Sequence, residues 1–214
     1  MFNDRIDAGQ QLAVALKHYK RKKEAVVVAL PRGGVILGYA IANELHLPLE
    51  VLMVKKIGHP TNPEFAIGAV SLTGSIVDEF TSVDETYIEK EIKNIRELLK
   101  KRYKMYYGNK PPLELKNKTV IVVDDGVATG STMIAALDLI KNEQPKHIVV
   151  AVPVGPPDTI KEIENFSDET ICLETYSPFY SIGIYYKNFT QVTDNEVKLL
   201  LSMINHNNLV NHKK

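Results

Sequence analysis

Apolar residues recur along the chain with two alternating periods. Leu12, Ala13, Leu16 and Tyr19 share a helical face, predicting a helix over 10–20. After the polar run KRKK, the stretch AVVVAL predicts a buried strand over 25–30. VILGYAIANELH predicts a helix over 35–46, and LEVLMV a strand over 49–54. A Gly/Pro-punctuated loop is expected over 55–64, then a β-hairpin turning at Thr73-Gly74. Ile88, Ile92, Ile95, Leu99 and Tyr103 mark one face of the longest helix, capped by Ser82 or Asp84 and ended by Gly108 and Pro111-Pro112. Strands follow at TVIVV, HIVVAV and ETICLE, with helices at MIAALDLI, PPDTIKEIENF and TDNEVKLLLSMINH. The residues 207–214 read as a frayed tail. Strands alternating with helices predict an α/β fold, a mostly parallel central sheet with helices on both faces. In such sheets ligands bind at the carboxyl ends of the strands.

Composition narrows the function class. The 214 residues suit one α/β domain, 1–214, with a small appendage. Lys plus Arg number 26 and Asp plus Glu number 26, so no net charge favours nucleic acid or an acidic membrane as partner. Cys172 is the sole cysteine and allows no internal disulfide. Its apolar context, ETICLE, reads as packing rather than nucleophilic chemistry. The polar start MFNDRIDAGQ does not read as a signal peptide, and no apolar run reaches membrane-spanning length, so a cytoplasmic protein is expected.

The chemistry concentrates in TVIVVDDGVATGST, 119–132. A strand ends in Asp124 and Asp125, and a loop with Gly126 and Gly130 leads to Ser131 and Thr132 at a helix start. Glycine lets backbone N–H groups approach an anion, and the helix terminus adds partial positive charge, so this loop suits a phosphate. Two carboxylates would repel a phosphate and therefore face vicinal hydroxyls or a magnesium ion. The bland alternative is a helix corner whose acids act as caps, for which one acid would suffice. A Walker A loop needs Lys where Ser131 stands, and no G-x-G-x-x-G spacing occurs.

The order of parts, VIVV-DD-GV-ATGST, resembles the signature of the type I phosphoribosyltransferases, which bind 5-phosphoribosyl 1-diphosphate (PRPP). The features PRGGV, KIGHP-x-NPEFAIGAV and DDG-x-ATG resemble stand-alone phosphoribosyltransferase-domain proteins of undefined acceptor, over nearly the whole chain. The resemblance implies that Ala128, Thr129, Gly130, Ser131 and Thr132 hold the 5′-phosphate. Asp124 and Asp125 would take the ribose hydroxyls or magnesium, directly or through water and PRPP. Arg32, Gly33 and Gly34, after the strand 25–30, match the loop that holds the diphosphate. A guanidinium there suits phosphate oxygens. Lys55 and Lys56 match a basic pair before a mobile lid, expected over 55–80. Strand alternation puts the two on opposite faces, so one reaches the ligand. His59 and Glu64 lie in that lid, either at the substrate or on the surface, and no metal-ligand spacing surrounds His59.

The segment SPFYSIGIYYKNF, within 174–190, resembles the family's hood. Phe179, Tyr185 and Tyr186 are candidates to stack on an acceptor base; packing of a small edge subdomain is the alternative. Two departures stand out: Gly126, where an aliphatic residue is commoner, and Ala128, where the hypoxanthine–guanine enzymes have an acid. The resemblance implies magnesium-dependent transfer of phosphoribose from PRPP to a nucleobase-like nitrogen with diphosphate release, in nucleotide metabolism. A non-catalytic PRPP sensor is the alternative; such a protein could lose the diphosphate loop and the basic pair, which this chain keeps. A homodimer is expected by analogy with the fold.

Overall fold

A computed structural model describes residues 1–78 and 80–211, without the side chains of residues 64 and 205–211. Five parallel strands form the main sheet: β1 (Ala25–Ala29), β2 (Leu49–Val51), β6 (Thr119–Val123), β7 (His147–Gly155) and β8 (Glu169–Thr175). Their spatial order is β2-β1-β6-β7-β8. The expected parallel α/β sheet is what the chain forms.

Every β1 side chain is buried because helices cover both faces. Val27, Ala29, Ile121 and Val123 point into one core layer with α1 (Arg5–Ala15), α2 (Gly33–Leu45) and α6 (Asp194–Asn211). Val26, Val28, Val120 and Val122 point the other way, against α4 (Ser131–Lys141) and α5 (Pro157–Glu164). Alternation along a strand thus splits one valine run between two cores.

A second sheet stands beside the first: antiparallel β3 (Val54–His59), β4 (Asn62–Ser71) and β5 (Ser75–Val77), ordered β3-β4-β5. This corrects two expectations. The strand over 49–54 stops at Val51, and the chain enters the new sheet at Val54. The loop expected over 55–64 is mostly strand. Its Gly and Pro residues serve a register shift at Gly58 and a tight turn at Pro60-Thr61, not an irregular loop. The hairpin turn at Thr73-Gly74 stands as expected; residue 79 of that stretch lies outside the described residues.

The long helix α3 (Glu85–Tyr107) begins at Asp84, not Ser82. The Asp84 carboxylate accepts from Thr86 N at 2.8 Å and Tyr87 N at 3.3 Å. Helix α1 starts earlier than expected, because the Asp4 side chain caps it by accepting from Asp7 N at 2.9 Å. Helix α6 continues to Asn211, so the frayed tail expected over 207–214 is helical through 211; residues 212–214 lie outside the described residues. Among the described residues no helix is long and apolar enough to cross a membrane.

Candidate functional site

The chain leaves β1 toward β2 on one side and returns to β6 on the other. That reversal of strand order opens a crevice at the carboxyl ends of β1 and β6, where doubly wound sheets bind ligands. The loop 30–34 follows β1 and the loop 124–130 follows β6. They meet there. A Cβ on Gly33 would stand 1.9 Å from Asp125 Oδ2, and one on Gly34 would stand 2.7 Å from Val123 O and 2.9 Å from Asp124 Cα. The paired glycines are required by this close approach of the acidic loop to the start of α2.

The two acids differ in surroundings. Asp124 Oδ1 accepts from Asp125 N at 2.8 Å. Burial pushes the Asp124 carboxyl well above the usual carboxylate range, and the neighbouring Asp125 charge pushes the same way. Asp125 Oδ2 accepts from Arg5 Nε at 2.7 Å, and its backbone carbonyl accepts from the Tyr186 hydroxyl at 2.6 Å. Arg5 is 8 % exposed, and no feature of the opening residues flagged it. Its signal was an arginine on the buried face of an N-terminal helix.

In the loop 126–130, Gly126 has φ +153, and a Cβ there would stand 2.7 Å from Ile182 Cγ2. The room that an aliphatic residue would need at 126 is filled by Ile182. Val127 is buried and Thr129 is exposed; Gly130, with φ +74, precedes α4, whose first residues are Ser131 and Thr132. Thr159 of α5, also unflagged by sequence, donates from Oγ1 to Ala128 O at 2.8 Å. The loop therefore rests on α5.

Lys56 donates from Nζ to Ser131 Oγ at 2.9 Å, tying β3 to the start of α4, whereas Lys55 is exposed. Lys56, Thr129 and Ser131 line a groove between the second sheet and α4 that extends to Asp138 and Lys141. Another pocket is lined by Arg5, Arg32, Gly33, Phe189 and Thr190. An apolar cavity against Glu50, Ser71 and Tyr103 shares no residue with these loops. His59 Nδ1 instead binds the turn after β3, 3.0 Å from Thr61 Oγ1.

Two rings of the aromatic segment are buried, and the rest of it is half-buried or exposed. Tyr185 and Tyr186 are 8 % and 5 % exposed. Tyr185 stacks on Tyr176 and Phe179 with centroids 4.3 Å and 5.1 Å apart, and Tyr186 lies 5.5 Å from Phe2 and 5.0 Å from Phe189. These rings pack on one another. Phe179 is half-buried and Tyr180 is 79 % exposed. Burial pushes the Cys172 thiol up to about 11, which suits a packed residue rather than a nucleophile.

Among the described residues no group of three or more His, Cys, Asp or Glu is arranged to hold a metal. Two carboxylates at a strand end suit magnesium that keeps waters and takes further oxygens from a ligand's phosphates.

Comparison with known proteins fits this geometry. The model of the phosphoribosyl transferase domain matches residues 3–184. A curated Mycobacterium tuberculosis protein, provisionally named a phosphoribosyl transferase, is 37% identical over 207 residues, which cover 94% of this chain and 46% of that protein. The chain thus spans about half the length of the curated relatives it matches. The crystal structure of TT1426 from Thermus thermophilus superposes with a TM-score of 0.85 at 38% identity, covering 94% of this chain and 97% of that one. A Clostridioides difficile uracil phosphoribosyltransferase matches 29% of this chain and 30% of its own length, at 36% identity.

Proposed function

The chain belongs to the phosphoribosyl transferase domain family, and on that premise we propose that it moves phosphoribose from PRPP to a nitrogen of a small, base-like acceptor, releasing diphosphate. The observation that carries this reading is the meeting of Gly33 with Asp125 at the switch point, with the Gly130 loop and Lys56 beside it. It supports a single site for a diphosphate, a diol and a phosphate.

In this reading the bond between the anomeric carbon and a diphosphate oxygen breaks, with the electron pair leaving on diphosphate. The acceptor nitrogen forms the new bond and then loses its proton. The sugar passes through an oxocarbenium-like state, as in other glycosyl transfers. Arg32 offsets charge on the departing diphosphate, and Lys56, bonded to Ser131, offsets charge at the 5′-phosphate end. Ser131, Thr132 and the N–H groups of 128–130 take the 5′-phosphate, while Asp124 and Asp125 orient the ribose hydroxyls. Magnesium, bound through the ligand and the water shell reached by Asp124 and Asp125, would neutralise the diphosphate further. Lys55 is left outside this set.

The acceptor is not a purine that needs an acid at position 128, where this chain has alanine. Tyr185 and Tyr186 support the hood as packing, and Phe179 remains the hood ring proposed for the acceptor. The domain is proposed to act as one unit over 1–214, with the second sheet as the wall that covers the donor. Cytoplasmic location and a homodimer complete the proposal.

Calorimetry with PRPP, with and without magnesium, tests the donor. Absence of PRPP binding overturns the reading. A panel of bases, beginning with uracil, followed by diphosphate release, tests transfer. Binding without release on any base would favour the sensor.

A further inference from the structure

We propose that Arg5 is a positioning residue of the acidic pair, and this rests on the PRPP reading above. The two acids pose an electrostatic problem: a pair of carboxylates beside a site for phosphates repels the ligand unless charge is offset. Arg5 supplies that offset from the far end of the chain. Its Nε donates to Asp125 Oδ2 at 2.7 Å across a sequence separation of 120 residues. Its Nη1 donates to Thr190 O at 2.8 Å, and its guanidinium lies 3.8 Å from the centre of the Phe189 ring. Planar cations are held well by such a combination of fork and ring face.

The arrangement is fixed by a strap. Phe2 N donates to Tyr185 O at 2.9 Å, Lys187 N donates to Phe2 O at 2.9 Å, and Asn188 N donates to Asn3 O at 3.0 Å. The amino-terminal residues thus run beside 185–190 and carry α1 to the site. With Oδ2 held by Arg5, Asp125 has one oxygen left for a ligand hydroxyl, in a fixed orientation. Arg5 also lines the pocket shared with Arg32 and Gly33. Ligating carboxylates depend in this way on partners that do not touch the ligand.

PRPP affinity measured by calorimetry in magnesium, on the full chain, tests this. Arg5→Ala is expected to weaken PRPP binding about 10- to 100-fold. Arg5→Lys, which keeps the charge but loses the fork and the ring face, is expected to recover part of the loss, and free guanidinium at millimolar concentration to restore part of the affinity of Arg5→Ala. Lys187→Ala removes the Lys187 Nζ to Asn3 Oδ1 bond in the same strap without touching Asp125, and is expected to bind PRPP like the wild type. If Arg5→Ala fails to fold, Arg5→Met and Arg5→Lys carry the comparison. A folded Arg5→Ala that binds PRPP as the wild type does overturns the proposal and leaves the PRPP reading intact. An equal loss in Lys187→Ala, with no rescue by lysine, assigns the effect to the strap alone and also overturns it. A wild type that binds no PRPP overturns both readings.

Discussion

Gly33 and Asp125 occupy nearly the same space: a Cβ on the glycine would stand 1.9 Å from the carboxylate oxygen Oδ2. That oxygen cannot retreat freely, because Arg5 holds it at 2.7 Å. Gly33→Ala is therefore expected to lower stability by about 1–3 kcal/mol, as overpacking does, and to weaken PRPP binding. Gly34→Ala is expected to cost more, since its Cβ meets the backbone at Val123 O and Asp124 Cα. Urea unfolding and calorimetry check both; a Gly33→Ala protein of wild-type stability and affinity would show that the Asp125 carboxylate is mobile.

Lys55 and Lys56 are neighbours with opposite prospects. Lys56 reaches Ser131 Oγ at 2.9 Å, and Lys55 is exposed. Lys56→Ala is expected to lower kcat/KM by about 10²-fold, the effect of removing one charge-stabilising donor. Lys55→Ala is expected to stay within about threefold, since an exposed charge is screened by water and salt. Diphosphate release, once an acceptor is in hand, or PRPP affinity before then, reads the difference. Equal losses in the two variants would mean that β3 shifts when ligand binds.

The sheet was legible in the sequence because its strands are runs of Val and Ile bounded by glycine, proline or acids. The crevice was legible too, since PRGG and DDGVATG each end such a run. Of the second sheet only the hairpin of β4 and β5 was legible; the stretch 55–64 was not. Its Gly and Pro residues imitate a loop, while pairing such as Lys56 with Ala69 is a relation between distant positions that no local period reveals. Arg5 and Thr159 escaped for the same reason. Each acts on a residue far away in the chain; Thr159 sits on a helix whose pattern reads as ordinary packing, and Arg5 precedes the helix that the pattern predicts over 10–20. The aromatic segment had two readings in the sequence, and only the burial of Tyr185 and Tyr186 separates them.

Asp124 makes stability depend on pH with a definite sign. Its folded-state pKa is raised by burial and then by Asp125. Glu50, 6 % exposed, is raised by burial as well. At pH values between the unfolded and folded pKa the native state binds more protons than the unfolded chain. This contribution is therefore full below the unfolded carboxylate value of about 3.9 and is lost as pH rises through the folded value. Asp124→Asn cannot ionise, so its melting temperature relative to wild type is expected to rise as pH increases from acid toward neutral. A constant difference across that range would mean that Asp124 titrates normally in the folded protein.

Thr159 tests whether the phosphate loop depends on its support. Its Oγ1 donates to Ala128 O at 2.8 Å, and the residue is 9 % exposed. Thr159→Val keeps the shape and removes the donor, leaving a loop carbonyl with one partner fewer. The expected loss is about 1 kcal/mol of stability. If that energy acts on the geometry of 128–130, PRPP binding weakens by about fivefold as well. Thr159→Ser keeps the hydroxyl and is expected to retain the affinity while losing the methyl packing against Gly130. Unchanged PRPP affinity in Thr159→Val, with the stability loss present, would show that α5 holds the fold without shaping the loop.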